Sequence, residues 1–284
     1  MTGLSGEAKL AGVMGWPVSH SRSPRLQGHW LQRYGIDGAY LPLPVNPGDF
    51  ETVFHALPKM GFSGVNVTIP HKEAALSLAD EADDLARRIA AANTIIFRED
   101  GSSLATNTDG FGFLMNLQDQ VSDWKADAPA VVLGAGGAAR AIIVALIDRG
   151  VPEIRLLNRT KARAEAIAGE LGSPVHVLDW TEREAVLSDA GLLVNTTSLG
   201  MKDTPPLEIR LDDLPPQATV ADIIYAPVET DLLISANARG SRVVTGPGML
   251  LHQAVPGFEA WFGRRPVVDD ALRQAVFPEI YGAP

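Results

Sequence analysis

Four stretches of this sequence carry side chains whose types and spacing can do chemistry. In Ser19-His20-Ser21-Arg22-Ser23-Pro24, two hydroxyls stand two residues apart just ahead of a helical pattern. Both can donate to a carboxylate. Local sequence alone favours a plainer reading, in which Ser23 caps the helix that Pro24 opens. Asn66-Val67-Thr68-Ile69-Pro70-His71-Lys72 closes a β-branched run and sets Lys72 at the start of a helix. The positive end of the helix dipole repels a cation there, which marks Lys72 as a functional candidate. A solvated lysine is the alternative. The third stretch joins Asn93-Thr94, read as the end of a helix, to Thr106-Asn107-Thr108-Asp109-Gly110. Asp109 is either a turn or cap residue or a working carboxylate. His20, His71 and His252 have no ligand spacing with carboxylates, so no metal site is expected.

The fourth stretch is Gly134-Ala135-Gly136-Gly137-Ala138-Ala139, which follows a short apolar strand and opens a helix. In that context G-x-G-x-x-A reads as a dinucleotide-binding turn. Gly134 allows the tight turn, Gly136 lets the backbone approach a pyrophosphate, and Ala139 allows close helix packing. The free N–H groups of the helix start face the phosphates. Asn158-Arg159-Thr160 close the next strand, where a chain that prefers NAD carries Asp or Glu for the ribose hydroxyl. Arg159 and, one turn later, Arg163 suit a 2′-phosphate instead, because a guanidinium donates two bonds at once. NADP(H) is therefore the expected cofactor.

These residues must be positioned by alternating strands and helices. The pattern predicts strands at 9–15, 39–45 and 64–69. Helices are predicted at 24–34, 50–60 and 71–92. A second series has strands at 131–133, 154–157, 192–195 and 220–224, with helices at 138–149 and 163–171 and another at 249–261. Such alternation implies parallel βαβ units. The polar stretch 119–128 reads as a joint between the two series.

Composition narrows the field. The 284 residues carry a net charge of −10, which opposes binding to nucleic acid or an anionic membrane surface. Without cysteine there is no disulfide framework, thiolate nucleophile or cysteine-ligated metal. The longest apolar run, 130–147, contains Arg140 and three glycines and reads as strand, turn and helix rather than a membrane span. Met1 to Lys9 lacks the basic start and apolar run of a signal peptide, so a cytoplasmic location is expected.

Taken together, the stretches resemble the shikimate dehydrogenase family. Besides those quoted, Gly15-Trp16-Pro17-Val18 precedes the first cluster. Asn195-Thr196-Thr197-Ser198-Leu199-Gly200-Met201, Asp222-Ile223-Ile224-Tyr225 and Gly248-Met249-Leu250-Leu251-His252-Gln253 follow later in the matching order. The resemblance implies an α/β fold of two domains with a cleft between them. Residues 1–110 and 247–284 would form the substrate-binding domain, with a parallel-rich sheet and returning C-terminal helices. Residues 111–246 would form a Rossmann-type NADP domain.

The resemblance also implies site roles. Ser21 and Ser23 would hold a substrate carboxylate. Thr68, Lys72, Asn93, Asp109 and Gln253 would contact ring hydroxyls, and Tyr225 would line the same pocket. Lys72 and Asp109 match the catalytic pair. Cofactor contacts would come from Gly134, Ala135, Gly136, Gly137, Ala138, Asn158, Arg159, Thr160 and Arg163. Later contacts would come from Thr196, Ser198, Met201, Ile223, Gly246 and Met249.

The implied activity is reversible NADPH-dependent reduction of 3-dehydroshikimate to shikimate, in chorismate and aromatic amino-acid biosynthesis, by a monomer or homodimer. The chain departs from the family pattern at Gln27-Gly28, where His-Asn is usual, and at Thr245, where an acid is common. Alternatives are a quinate/shikimate or aminoshikimate paralogue, a methylene-tetrahydrofolate dehydrogenase and a non-catalytic NADP-binding regulator. The serine pair disfavours a pterin substrate, and the retained Lys72 and Asp109 disfavour a regulator.

Overall fold

The computed structural model describes residues 4–282. Residues 1–3 and 283–284, the outer ends of the domain assignment and the start of the stretch read for a signal peptide, lie outside the described residues. In chain order the elements are β1 (Lys9–Gly15), α1 (Ser23–Tyr34), β2 (Gly38–Pro44), α2 (Phe50–Ala56), β3 (Phe62–Val67), α3 (Lys72–Leu78), β4 (Glu81–Ala82), α4 (Asp84–Ile89), β5 (Thr94–Phe97) and β6 (Ser103–Thr106). There follow α5 (Asp109–Gln120), β7 (Ala130–Leu133), α6 (Gly137–Asp148), β8 (Ile154–Leu157), α7 (Lys161–Leu171), β9 (Val175–Leu178), β10 (Leu192–Asn195), β11 (Thr219–Asp222), α8 (Asp231–Ala238) and β12 (Arg242–Val244). The chain closes with α9 (Pro247–Phe262), α10 (Asp270–Val276) and α11 (Pro278–Tyr281). It divides into two units, Met1–Thr108 with Gln253–Pro284, and Asp109–His252.

The first unit holds a sheet of order β2-β1-β3-β5-β6-β4. β1 runs parallel to β2 and β3, whereas β5 is antiparallel to both β3 and β6. The alternating pattern implied parallel pairing and missed this hairpin. Its signal was the Asp100-Gly101 pair, where Gly101 takes the positive φ of 84° that the turn requires. The sheet packs Met14, Val65, Val67, Ile95 and Ala105 against Phe50 and Phe54 of α2. The C-terminal segment belongs to this unit. Trp261 of α9 donates its indole N–H to the Ile95 carbonyl at 3.0 Å. The Phe258 ring meets Trp30 of α1 edge-on at 5.2 Å.

The helix predicted across 71–92 is broken. Ala79 is extended, and the Asp80 amide and carboxylate both bond Ser103, which pulls the chain into β4. Asp83 then caps α4 by accepting from the Ala86 amide at 2.7 Å. The helix predicted at 50–60 likewise stops at Ala56, ahead of Pro58 and a 3-10 turn.

The second unit is a six-stranded, all-parallel sheet of order β9-β8-β7-β10-β11-β12. This is the doubly wound order, with its topological switch between β7 and β10. Both faces are apolar, as a sheet covered on two sides requires. Val132, Leu156 and Val194 pack with Ile142 and Leu146 of α6, while Val131, Leu157 and Leu193 pack with Leu232 and Leu233 of α8. Among the described residues no helix is long and apolar enough to cross a membrane.

Candidate active site

Ser21 and Ser23 stand at the start of α1, but neither hydroxyl caps it. The N-cap is Arg22, with no side-chain cap bond, and the Ser23 amide donates to Ser21 Oγ at 3.3 Å. The capping reading of Ser23 is therefore corrected. Arg22 is tied to the C-terminal segment: it bonds the Val276 carbonyl, pairs with Glu279 at 2.6 Å and lies over the Phe277 ring. The Ser23 hydroxyl instead faces Tyr40 of β2. Burial pushes the Tyr40 hydroxyl well above the usual tyrosine range, and Ser23 beside it acts in the opposite direction.

Thr68 follows β3. Its methyl group occupies the space over Gly15, where an ideal Cβ would stand 2.4 Å from Thr68 Cγ2. His71 is buried, stacks on Phe50 at 4.3 Å and places Nε2 2.8 Å from the Val45 carbonyl. That nitrogen must carry the proton, because a carbonyl only accepts. This anchoring sets the first turn of α3, so Lys72 leaves the chain half-buried at the start of the helix.

Asn93 does not end a helix. It lies just ahead of β5, is 2% exposed, and is the hub of a buried polar network. Its Oδ1 accepts from the Thr108 amide at 2.9 Å and the Thr94 hydroxyl at 2.9 Å. Its Nδ2 donates to Thr108 Oγ1 at 3.1 Å and Gln253 Oε1 at 3.0 Å. The Thr108 hydroxyl donates to the Gln253 main-chain carbonyl at 2.8 Å. Asn66 Nδ2 reaches the Asn93 carbonyl and Thr94 Oγ1, both at 3.1 Å, and Tyr40 donates to Asn66 Oδ1 at 2.6 Å. The first unit thus joins Ser23, Asn93 and Gln253 through Tyr40, Asn66, Thr94 and Thr108. Sequence reasoning gave no role to these last four. The available signal was Asn66 itself, an amide in the buried stretch of β3 between Val65 and Val67. Asp109 and Tyr225 belong to the second unit, where Asp109 is the buried first residue of α5 and Tyr225 follows β11 half-buried.

The second unit gathers the dinucleotide candidates. Gly134 follows β7 with φ of 109°, and its amide donates to the Leu157 carbonyl of β8 at 2.8 Å. Gly136 and Gly137 are exposed, and a Cβ on either would meet nothing within 4 Å. No internal packing explains these two glycines, whereas a ligand backed against the helix start does. Ala135 and Ala138 flank them. β8 pairs with β7 in register, so Asn158, Arg159 and Thr160 leave the sheet beside that turn. Asn158 Nδ2 bonds the Thr160 carbonyl at 2.8 Å, and Arg159 and Arg163 are exposed. Among the described residues no carboxylate pairs with either guanidinium, while Lys161 lies 4.0 Å from Asp179 Oδ2. The residues present fit a phosphorylated dinucleotide.

Across the switch point, β10 ends in Asn195, which fastens the next loop. Asn195 Oδ1 accepts from the Thr197 amide and hydroxyl, and Nδ2 donates to Leu199 O and to Asp222. Asp222 also accepts from Thr230 and the Ile224 amide. Burial raises its carboxyl above the usual range, and these donors offset part of the rise. The loop carries Thr196, Ser198 and Met201, of which Ser198 and Met201 are exposed. Ile223 follows β11, and Gly246 and Met249 flank the start of α9.

Known proteins resemble this chain over most of its length. A model of the shikimate dehydrogenase substrate-binding domain matches residues 13–95, and one of shikimate / quinate 5-dehydrogenase matches residues 116–202. Over 274 residues, 96% of this chain and 99% of the relative, 58% of positions are identical to the shikimate dehydrogenase (NADP(+)) of Paramagnetospirillum magneticum. The chain belongs to the shikimate dehydrogenase family. Another family member of the same name, from Paracoccus denitrificans, is 56% identical over 95% of this chain and 96% of its own. Among solved structures, the Thermus thermophilus shikimate 5-dehydrogenase in complex with NADP(H) and shikimate superposes with a TM-score of 0.85 at 33% identity, covering 95% of this chain and 99% of that one. The quinate dehydrogenase of Corynebacterium glutamicum in complex with NAD gives 0.89 at 30% identity, with the same coverage.

Proposed function

We propose that the chain catalyses the reversible NADPH-dependent reduction of 3-dehydroshikimate to shikimate, a step toward chorismate and the aromatic amino acids. One observation carries the cofactor choice and separates this reading from an NAD-dependent quinate enzyme. The turn at Gly134 lies beside the end of β8 and the start of α7, which offer Arg159 and Arg163 without a carboxylate partner among the described residues and have no acid at positions 158–160 to receive a ribose hydroxyl.

The bound nicotinamide supplies the hydride. The chain's residues do the rest. Ser21 and Ser23 donate to the substrate carboxylate and orient the ring. Asn93 and Gln253, with Thr68 and Tyr225, hold the ring substituents. As the C3 ketone carbon gains the hydride, its oxygen becomes an alkoxide. Lys72, polarised by Asp109, donates the proton that completes the alcohol or stabilises the negative charge as it develops. We place the reaction in the cytoplasm, carried out by a monomer or homodimer.

A substrate and cofactor panel tests the reading: shikimate and quinate, each oxidised with NADP+ and with NAD+. Turnover concentrated in the shikimate and NADP+ pair supports it. Preference for quinate with NAD+ overturns it in favour of the paralogue.

A further inference from the structure

Hydrogen-bond direction along the buried chain in the first unit is fixed from both ends. The Thr108 amide can only donate, so the Asn93 atom facing it is the oxygen. Asn93 Nδ2 therefore faces Gln253, whose nearest side-chain atom must accept and is Oε1 at 3.0 Å. At the other end, the Asn93 carbonyl can only accept, so Asn66 turns Nδ2 toward it. Asn66 Oδ1 is left for Tyr40, whose hydroxyl must donate. Each of Tyr40, Asn66, Asn93, Thr94 and Thr108 is buried, so none can replace a lost partner with bulk water.

We propose that Tyr40 and Asn66 are positioning residues that hold Asn93, and through it Gln253, in the orientation that presents the Gln253 amino group as a donor to the substrate. The inference deepens the functional reading above and rests on it. It also names the chemistry of the contact: the substrate atom at Gln253 is an oxygen that accepts. Tyr40→Phe keeps the ring and its packing but leaves Asn66 Oδ1 buried without a donor. Asn66 is then free to rotate and to loosen its bonds to the Asn93 carbonyl and Thr94 Oγ1.

The test is steady-state kinetics of the full chain for Tyr40→Phe, Gln253→Glu and the double variant, with thermal unfolding alongside. Gln253→Glu can still accept from Asn93 but offers no donor. Tyr40→Phe should raise the KM for shikimate about tenfold, the size expected when a buried acceptor loses its donor. The KM for NADP+ should stay within about twofold, because NADP+ does not depend on this network. Gln253→Glu should raise the shikimate KM at least as much, and the double variant should add little, since Tyr40 acts through Gln253.

Asn66→Asp, which keeps the acceptor for Tyr40 and deletes the donor to Asn93, should match Tyr40→Phe. A fall in melting temperature with both KM values unchanged would overturn the proposal. So would a parallel rise for shikimate and NADP+, or additive effects in the double variant. Absence of turnover by the wild-type chain would instead remove the functional reading and this inference with it, so the two failures are told apart by the wild-type control.

Discussion

The Thr196 hydroxyl occupies the space a side chain at Gly134 would need. An ideal Cβ on Gly134 would stand 2.5 Å from Thr196 Oγ1, and that hydroxyl is held by a 2.7 Å bond to the Leu133 carbonyl. The contact spans the switch point between β7 and β10, so the Thr196 hydroxyl fills the space beside the glycine turn. Gly134 and Gly136 are therefore glycines for different reasons, and their variants should part company. Gly134→Ala should cost about 2–4 kcal/mol of stability from its φ and the clash. Gly136→Ala should leave unfolding by denaturant within about 0.5 kcal/mol of wild type, yet weaken NADPH binding about tenfold or more by blocking the approach of the pyrophosphate. Unchanged NADPH affinity in Gly136→Ala would mean that the phosphates lie elsewhere.

Removing Arg159 tests the cofactor assignment. Charge-assisted hydrogen bonds contribute about 1.5–3 kcal/mol, so Arg159→Ala should raise the NADPH dissociation constant roughly 10- to 150-fold while NADH binding hardly changes. Titration with both nucleotides reads the difference directly. Equal losses for both would contradict a 2′-phosphate contact.

Lys72→Ala should lower kcat by about 10²–10⁴-fold if the lysine serves as general acid–base. NADPH binding, measured without substrate, should be retained. A near-normal kcat would take Lys72 out of the chemistry and leave its place at the start of α3 to a structural or solvated role.

The pH dependence of stability has a local source at Asp80, where the first unit's predicted helical run is broken ahead of β4. The Asp80 carboxylate accepts from the Ser103 hydroxyl at 2.7 Å and the Ser103 amide at 2.8 Å, which holds its carboxyl below the usual range. A depressed folded value means that the unfolded chain takes up the proton first as pH falls. The contribution is complete above the unfolded value near ~3.9 and is lost as pH falls through the folded value. Melting temperature measured down an acid series should fall in that window, and Asp80→Asn should flatten the fall. An identical acid slope in wild type and variant would place the titrating group elsewhere.

Much of the second unit was legible in the sequence, because its strands are short apolar runs bounded by turn residues. The patterns at 154–157 and 192–195 coincide with β8 and β10, and the glycine turn falls between β7 and α6 as expected. β9 and β12 escaped because their partly polar edge-strand sequences, Val-His-Val-Leu and Arg-Val-Val, carry little periodicity. In the first unit, β1 was legible, but helical spacing over 71–92 concealed a break imposed by the distant Ser103. Local pattern cannot report a bond made 23 residues away. The same limit applies to the site. Ser21, Ser23, Lys72 and Asn93 were singled out as candidates by residue type and resemblance. Tyr40 and Thr108 are polar groups whose partners become visible only when β2, β1, β3 and β5 are assembled into one sheet.

As proposed, this member of the family uses NADPH to reduce 3-dehydroshikimate. The most direct test follows the loss of reduced-nicotinamide absorbance with 3-dehydroshikimate, in parallel with NADPH and NADH. Turnover should be rapid with NADPH and slow with NADH, and Arg159→Ala should lose most of that preference. No turnover with either nucleotide, despite tight NADPH binding, would contradict the proposal.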